Sequence, residues 1–251
     1  MKNRILLVVL VILVTAVRGL AGFDDLVKSG DIHDRNHQSG EALNYYLSAE
    51  KLKPRDAALL VKIARQYALR MSDLPDKAAK LDSGRKALAY AERAVAAAPD
   101  QCDPHLSVAI CLGKLTPYLG NREKIKASRR IKASAERAVA LDPKSDYAWH
   151  ILGRWHQELA GIGGATRMLA GIIYGGLPTA SKDTAVDCFK RAIALNSKRL
   201  VHVVELGRTY AMMGRKSEAA RYLRQGLAMP NQDKDDPETK RRGRATLREI
   251  S

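Results

Sequence analysis

The chain has 251 residues, of which 46% are hydrophobic, weighted toward Ala and Leu, and 5% are aromatic; this favours close-packed helices over sheets and excludes a long disordered or low-complexity chain. Its formal net charge of +16 suits an anionic partner (an acidic protein segment, a phospholipid surface or nucleic acid), although a basic surface also serves solubility. Cys102, Cys111 and Cys188 form no CxxC and no zinc spacing with histidine, so they read as small core residues and a structural metal is not expected.

Residues 1–21, MKNRILLVVLVILVTAVRGLA, have the pattern of an export segment. Lys2 and Arg4 make a positive start, Ile5 to Val17 is dominated by aliphatics, and Gly19 and Ala21 stand at −3 and −1 of a cleavage site. As a helix the aliphatic stretch spans about 20 Å, short of a bilayer core of about 30 Å, and Arg18 interrupts it. The expectation is a cleaved signal peptide and an exported, periplasmic or secreted protein; the alternative is a retained membrane anchor. Cleavage leaves 40 basic and 27 acidic residues, a net charge of +13.

From residue 22 the chain repeats itself. AERAVAAAPD at 91–100 and AERAVALDPK at 135–144 are near copies, with relatives at 45–54 and 188–197. Each is the second half of an amphipathic helix running into a Pro or polar stop. LVKSGD at 26–31, HILGRW at 150–155 and VELGRT at 204–209 read as first helices with a small residue at a close contact. Together they resemble the tetratricopeptide unit of about 34 residues, two antiparallel helices with small residues at fixed positions.

Five units fit. Position 8 is Gly30, Ala64, Ala109, Gly153 and Gly207; position 20 is Ala42, Ala87, Ile131, Ala185 and Ala219; position 27 is Ala49, Ala94, Ala138, Ala192 and Gly226. Two helix axes approach closely only where side chains are nearly absent. The stops at Pro54, Pro99, Pro143 and Ser197 lie 45, 44 and 54 residues apart, so the middle units are lengthened, at 71–80, 115–124 and 160–181. Such additions map to loops or helix extensions along one edge of a solenoid. Residues 233–251 read as a basic capping helix, with Asp236 as cap, Pro237 at the first position, and Leu247 and Ile250 covering the last repeat. The expected architecture is all-α: a tetratricopeptide-like solenoid of about five hairpins over 22–232, closed by that helix.

The elongated units, with DYAWHILGRWHQELA at 146–160, IIYGGLPTAS at 172–181, VHVVELGRTYAMMGR at 201–215 and the basic run at 125–143, resemble the regulator of microtubule dynamics family, bacterial relatives included. The resemblance covers about residues 25–235, and Leu152–His156 is its most specific part. It implies a helical-repeat binding module with no agreed enzymatic activity. Eukaryotic members are associated with microtubules and organelle membranes, several through an N-terminal anchor. This chain differs in placing an export-type segment directly before its first repeat.

In a repeat of this type the first helix of each hairpin lines the concave groove, with positions 5, 9, 12 and 13 facing inward. Position 9 is Asp31, Arg65, Ile110, Arg154 and Arg208, position 13 adds Lys114 and position 5 adds His150. Arg65, Lys114, Arg154 and Arg208 would make a positive groove for carboxylate or phosphate, because a guanidinium binds both bidentately. Alternatively, these arginines pair with internal acids: Glu158 lies one turn from Arg154, and Glu205 is near Arg208. Residues 159–181 carry one charge, Arg167, and read either as an insertion packed on the repeat core or as a surface for a membrane interface or anionic phospholipid.

His33 and His37, at i and i+4 on one helix face beside Asp34, offer half a metal site and no further ligands. Trp155 and His156 read as packing and hydrogen-bonding residues. No nucleophile elbow, phosphate loop or carboxylate pair is present in the sequence, so no enzyme and no cofactor are expected. The basic runs 122–137 and 240–248 lack interleaved aromatics for stacking bases, so nucleic acid is not an expected partner. The expected function is a scaffold or adaptor for proteins or peptides carrying acidic groups.

Overall fold

The computed structural model describes residues 22–174 and 176–251; the expected export segment lies outside them. All regular structure among these residues is helical. The helices are α1 (Phe23–Arg35), α2 (Ser39–Glu50), α3 (Ala57–Arg70), α4 (Lys77–Ala97), α5 (Cys102–Leu115), α6 (Asn121–Leu141), α7 (Asp146–Ala160), α8 (Gly164–Tyr174), α9 (Lys182–Leu195), α10 (Leu200–Met212), α11 (Lys216–Ala228) and α12 (Asp236–Ile250), with a 3-10 turn at Thr116–Tyr118. Asp56, Asp76, Ser145 and Ser181 start α3, α4, α7 and α9 by accepting hydrogen bonds from first-turn amides, which otherwise lack partners. None of these helices is long and apolar enough to cross a membrane.

The chain divides into two compact units, one ending at Pro54 and one running from Arg55 to Ser251. The first holds the α1–α2 hairpin, where the Tyr46 ring lies against Gly30 and its hydroxyl donates to Asp31 at 2.6 Å. The two histidines expected on one helix face are separated here. His33 lies in the last turn of α1, stacked on Tyr45 and bonded to Gln38, whereas His37 sits in the following turn with φ 59°. Because α1 stops at Arg35, the i, i+4 relation no longer places them side by side.

The second unit holds four hairpins, α3/α4, α5/α6, α7/α9 and α10/α11, and then α12. The first helices α3, α5, α7 and α10 stand next to one another in that order. All fifteen close-contact positions read from the sequence are buried. Gly207 shows the reason: a Cβ there would come within 2.9 Å of the Leu223 backbone nitrogen and 3.2 Å of the Ala219 carbonyl, and a backbone cannot step aside. Ile131, the one large residue in the register, is accommodated in the main core with Trp155, Leu152 and Cys111. Cys111 and Cys188 are unpaired core residues, and burial pushes both thiols up to about 12.

The extra residues of the second and third units mostly lengthen α4 and α6, each 21 residues long; those of the fourth form the separate helix α8. Leu247 and Ile250 cover Leu200, Val204 and Leu223, as a capping helix should. Its start differs by one residue from the expectation. Asp236 is already helical, and its carboxylate accepts from the amides of Gln232 and Asp233, at 2.7 and 2.8 Å, instead of capping the turn ahead.

Candidate functional site

The first helices of the second unit carry the four basic side chains read from the register. Arg65 is exposed on α3. Lys114, at the end of α5, is half-buried and places Nζ 2.7 Å from Asp235 Oδ2. Arg154 on α7 and Arg208 on α10 converge on the carboxylate of Glu205, each through Nη1 at 2.7 Å. Arg242 of α12 reaches the same carboxylate at 3.1 Å. Arg154 also donates to Glu158 at 2.7 Å.

The Glu205 side chain is 0% exposed, whereas those of Arg154, Arg208 and Arg242 retain 23%, 23% and 34%. Burial acts to raise the Glu205 carboxyl, but Arg154, Arg208 and Arg242 outweigh it and hold it below its ordinary value. Three cations thus share one buried anion. The Nε atoms of Arg208 and Arg242 are buried without a hydrogen-bond partner. Of the two alternatives read from the sequence, the pairs seen are internal: Arg154 with Glu158 and Glu205, and Arg208 with Glu205.

His150, expected on the groove, is buried instead. Its ring lies 3.0 Å from His202 Nδ1, and His202 Nε2 lies 2.9 Å from Asp146 Oδ2. Burial tends to raise the Asp146 carboxyl; His202 and Arg199 overcome this and bring it to about 2. An ionised Asp146 only accepts, so His202 Nε2–H donates to it, and His202 Nδ1 accepts from His150 Nδ1–H. Burial, then the neighbouring His202 and Arg154, holds His150 well below the ordinary histidine value. Burial also lowers His202, against the raising effect of Asp146. The pair is a neutral, buried link between α7 and α10, with no open face for a ligand.

The most specific stretch of the sequence, Leu152–His156, is accounted for residue by residue. Leu152 is core, Gly153 admits Phe189 and Cys188, and Arg154 reaches Glu205. The Trp155 indole N–H donates to the Ser128 carbonyl at 2.9 Å, and His156 Nδ1 accepts from the Ser181 amide at 3.3 Å. Gln157, next in line, donates to the Glu205 carbonyl and to Thr209.

The insertion 159–181 is tied down at its edges. Arg167 donates to the Leu159 carbonyl at 2.5 Å, and Ile162 and Ala180 pack on the core. On α8, Met168, Ile172 and Ile173 are 67%, 77% and 55% exposed. Ile173 and the basic start of α6 (Arg122, Lys126 and Arg129) border an open cleft of about 620 Å³. No group of three His, Cys, Asp or Glu positioned to hold a metal ion occurs among the described residues.

Sequence reasoning missed Arg242, Arg199, the Asp146–His202 link and the acids of 233–235. The acidic residues Asp233, Asp235 and Asp236 after the last repeat were the available signal.

Helical hairpins stacked through small-residue contacts define a tetratricopeptide-type repeat protein, and solved structures agree. A thermophilic TPR protein from Thermus thermophilus superposes with a TM-score of 0.67 at 18% identity, over 90% of this chain and 99% of that one. The pilF protein of Pseudomonas aeruginosa gives 0.56 at 12% identity, over 91% and 88%. Within that class the chain belongs to the family described as regulator of microtubule dynamics protein 1-3, whose model matches residues 20–251. It is 28% identical over 225 residues to regulator of microtubule dynamics protein 1 of Bos taurus, covering 87% of this chain and 70% of that protein. It is 25% identical over 217 residues to regulator of microtubule dynamics protein 3 of Xenopus laevis, covering 85% of this chain and 47% of the relative.

Proposed function

We propose that this chain is a non-enzymatic protein-binding scaffold that receives acidic segments of its partners on the basic row of its second unit. The observation that carries this reading is the surplus around Glu205. Three guanidinium groups share one buried carboxylate, and their side chains keep part of their surface in solvent. The planar donor fork of a guanidinium suits a carboxylate. The family and the repeat fold support the coarser half, a binding module.

The test is fluorescence anisotropy with a labelled Asp- and Glu-rich peptide, comparing wild type with the Arg154→Gln, Arg208→Gln double variant. The expected result is affinity that falls with salt and drops about tenfold in the variant. Equal affinities in both proteins would remove the acidic groove and leave only the repeat scaffold.

The proposal extends to location: a signal peptide delivers the scaffold to an envelope or extracellular compartment, away from the microtubules named in its relatives' descriptions. N-terminal sequencing of the purified protein tests this, with a start at Gly22 expected after cleavage.

A second reading rests on α8, where Met168, Ile172 and Ile173 stand exposed beside Arg122, Lys126 and Arg129. Apolar side chains flanked by cations suit an anionic membrane surface. Flotation with phosphatidylglycerol vesicles but not phosphatidylcholine vesicles, lost in an Ile172→Ser, Ile173→Ser variant, is the expected outcome.

A further inference from the structure

From the end of the α11–α12 connection into the first residue of α12 the chain reads Gln232-Asp233-Lys234-Asp235-Asp236. Its charged side chains reach back to widely separated parts of the second unit. Asp233 Oδ2 accepts from Arg199 Nη1 at 2.8 Å, just ahead of α10. Asp235 Oδ2 accepts from Lys114 Nζ at 2.7 Å, at the end of α5. Lys234, between them, pairs with Asp73 beyond the end of α3. The segment therefore lays one carboxylate on Lys114, a member of the basic row of the proposed function, and another on Arg199, just ahead of α10.

The cationic side of this contact is pre-organised. Arg199 is held from behind by Asp146 at 2.9 Å and stacks over the Tyr147 ring, its guanidinium carbon 4.4 Å from the centroid. The contact is also exchangeable. Lys114 and Asp235 keep 25% and 45% of their side-chain surface, and Arg199 and Asp233 keep 25% and 27%, so solvent competes for both pairs. α12 does not depend on them: Leu247, Ile250 and the Arg242–Glu205 pair fasten it independently.

We infer that Lys114 and Arg199 form a two-point reader for a segment with carboxylates at i and i+2, and that Asp233 and Asp235 occupy it in cis. The partner this fits is an acidic peptide segment of Asp/Glu-x-Asp/Glu type, which enters by displacing the side chains of 233–235. A tethered occupant competes at high effective concentration, so the resting protein is attenuated for such partners. The inference rests on the scaffold reading and adds to it a partner pattern and a built-in competitor.

The test uses the mature full chain and a fluorescein-labelled peptide of its own residues 231–238, NQDKDDPE. An Asp233→Asn, Asp235→Asn variant is expected to bind this peptide about fivefold more tightly than wild type does. Adding Lys114→Met to that variant abolishes the gain, and the peptide carrying both Asn replacements does not bind. A doubly neutralised protein that binds no more tightly than wild type overturns the inference. Hydrogen exchange on the wild type covers the case in which the variant misfolds. Saturating peptide should speed exchange in residues 230–236, and binding without that change also overturns it. If the neutralised variant shows no gain while Arg154→Gln, Arg208→Gln still weakens acidic-peptide binding, the cis competitor falls and the groove stands. If the gain is seen but those arginines do not matter, the reader stands and the centre of the groove moves to Lys114 and Arg199.

Discussion

Two sets of cations in the second unit differ in how their charge is answered. Arg154, Arg208 and Arg242 meet Glu205, whose side chain is wholly buried and which sits on the same helix as Arg208, three residues away. Lys114 and Arg199 meet Asp235 and Asp233, which remain partly exposed and lie on a connecting segment. The first arrangement is part of how α7, α10 and α12 hold together. The second is a surface contact that another carboxylate can replace. The lesson is that a basic row in a repeat protein divides into structural and exchangeable members, and burial of the counter-charge decides which is which.

The largest consequence should follow from removing the buried anion. Glu205→Gln leaves three guanidinium groups facing one another and should destabilise the fold by about 3 kcal/mol or more, measured as the shift in urea midpoint at constant slope. A loss under about 1 kcal/mol would mean that the cluster behaves like an exposed one and that the contrast fails.

Acid should act next, in two steps with one sign. His150 and His202 are held neutral below the ordinary histidine value. The unfolded chain therefore takes up protons below about pH 6.5 that the folded chain refuses, and stability falls as pH drops from 7 toward 5. Asp146, at about 2, and Glu205, also depressed, contribute stability that is present above about pH 4 and lost as pH falls through their folded values. The groups facing this link are Arg199, Arg154, Arg242, Asp233 and Tyr147. Thermal melts at pH 7 and 5 should differ by a few degrees, about 1 kcal/mol, and His150→Asn should flatten that first step. A melting temperature independent of pH over this range would contradict the neutral pair.

Smallest should be the effect of loosening the exposed contact. Asp233→Asn, Asp235→Asn should cost less than about 1 kcal/mol of stability, and 0.5 M salt should reduce even that, while leaving the Glu205→Gln penalty nearly unchanged. A cost equal to that of Glu205→Gln would place both sets of cations in the structural class.

Much of the fold could be read without coordinates because it depends on periodicity. Gly207 and Gly226 announced close helix contacts, and the structure places backbone atoms of Leu223 and Val204 against them. The uneven spacing of Pro54, Pro99, Pro143 and Ser197 located the lengthened units, though it could not say that α4 and α6 would grow while α8 would form separately. Of the candidate site, Arg65, Lys114, Arg154 and Arg208 came from register alone. His150 came from the same register and is buried, because the rings of His202, Tyr147 and Phe189 pack around it.

By itself, then, the sequence determined the repeat, its register, the sites of insertion and the family resemblance, since each is a property of residues near one another along the chain. Only the tertiary structure decided how the charges are paired. Arg242 stands 37 residues from Glu205, His202 stands 56 from Asp146, and Asp235 stands 121 from Lys114. Such pairs form where the faces of different helices are brought into contact by packing, and the spacing of residues along one helix carries no record of what the next helix will present to it.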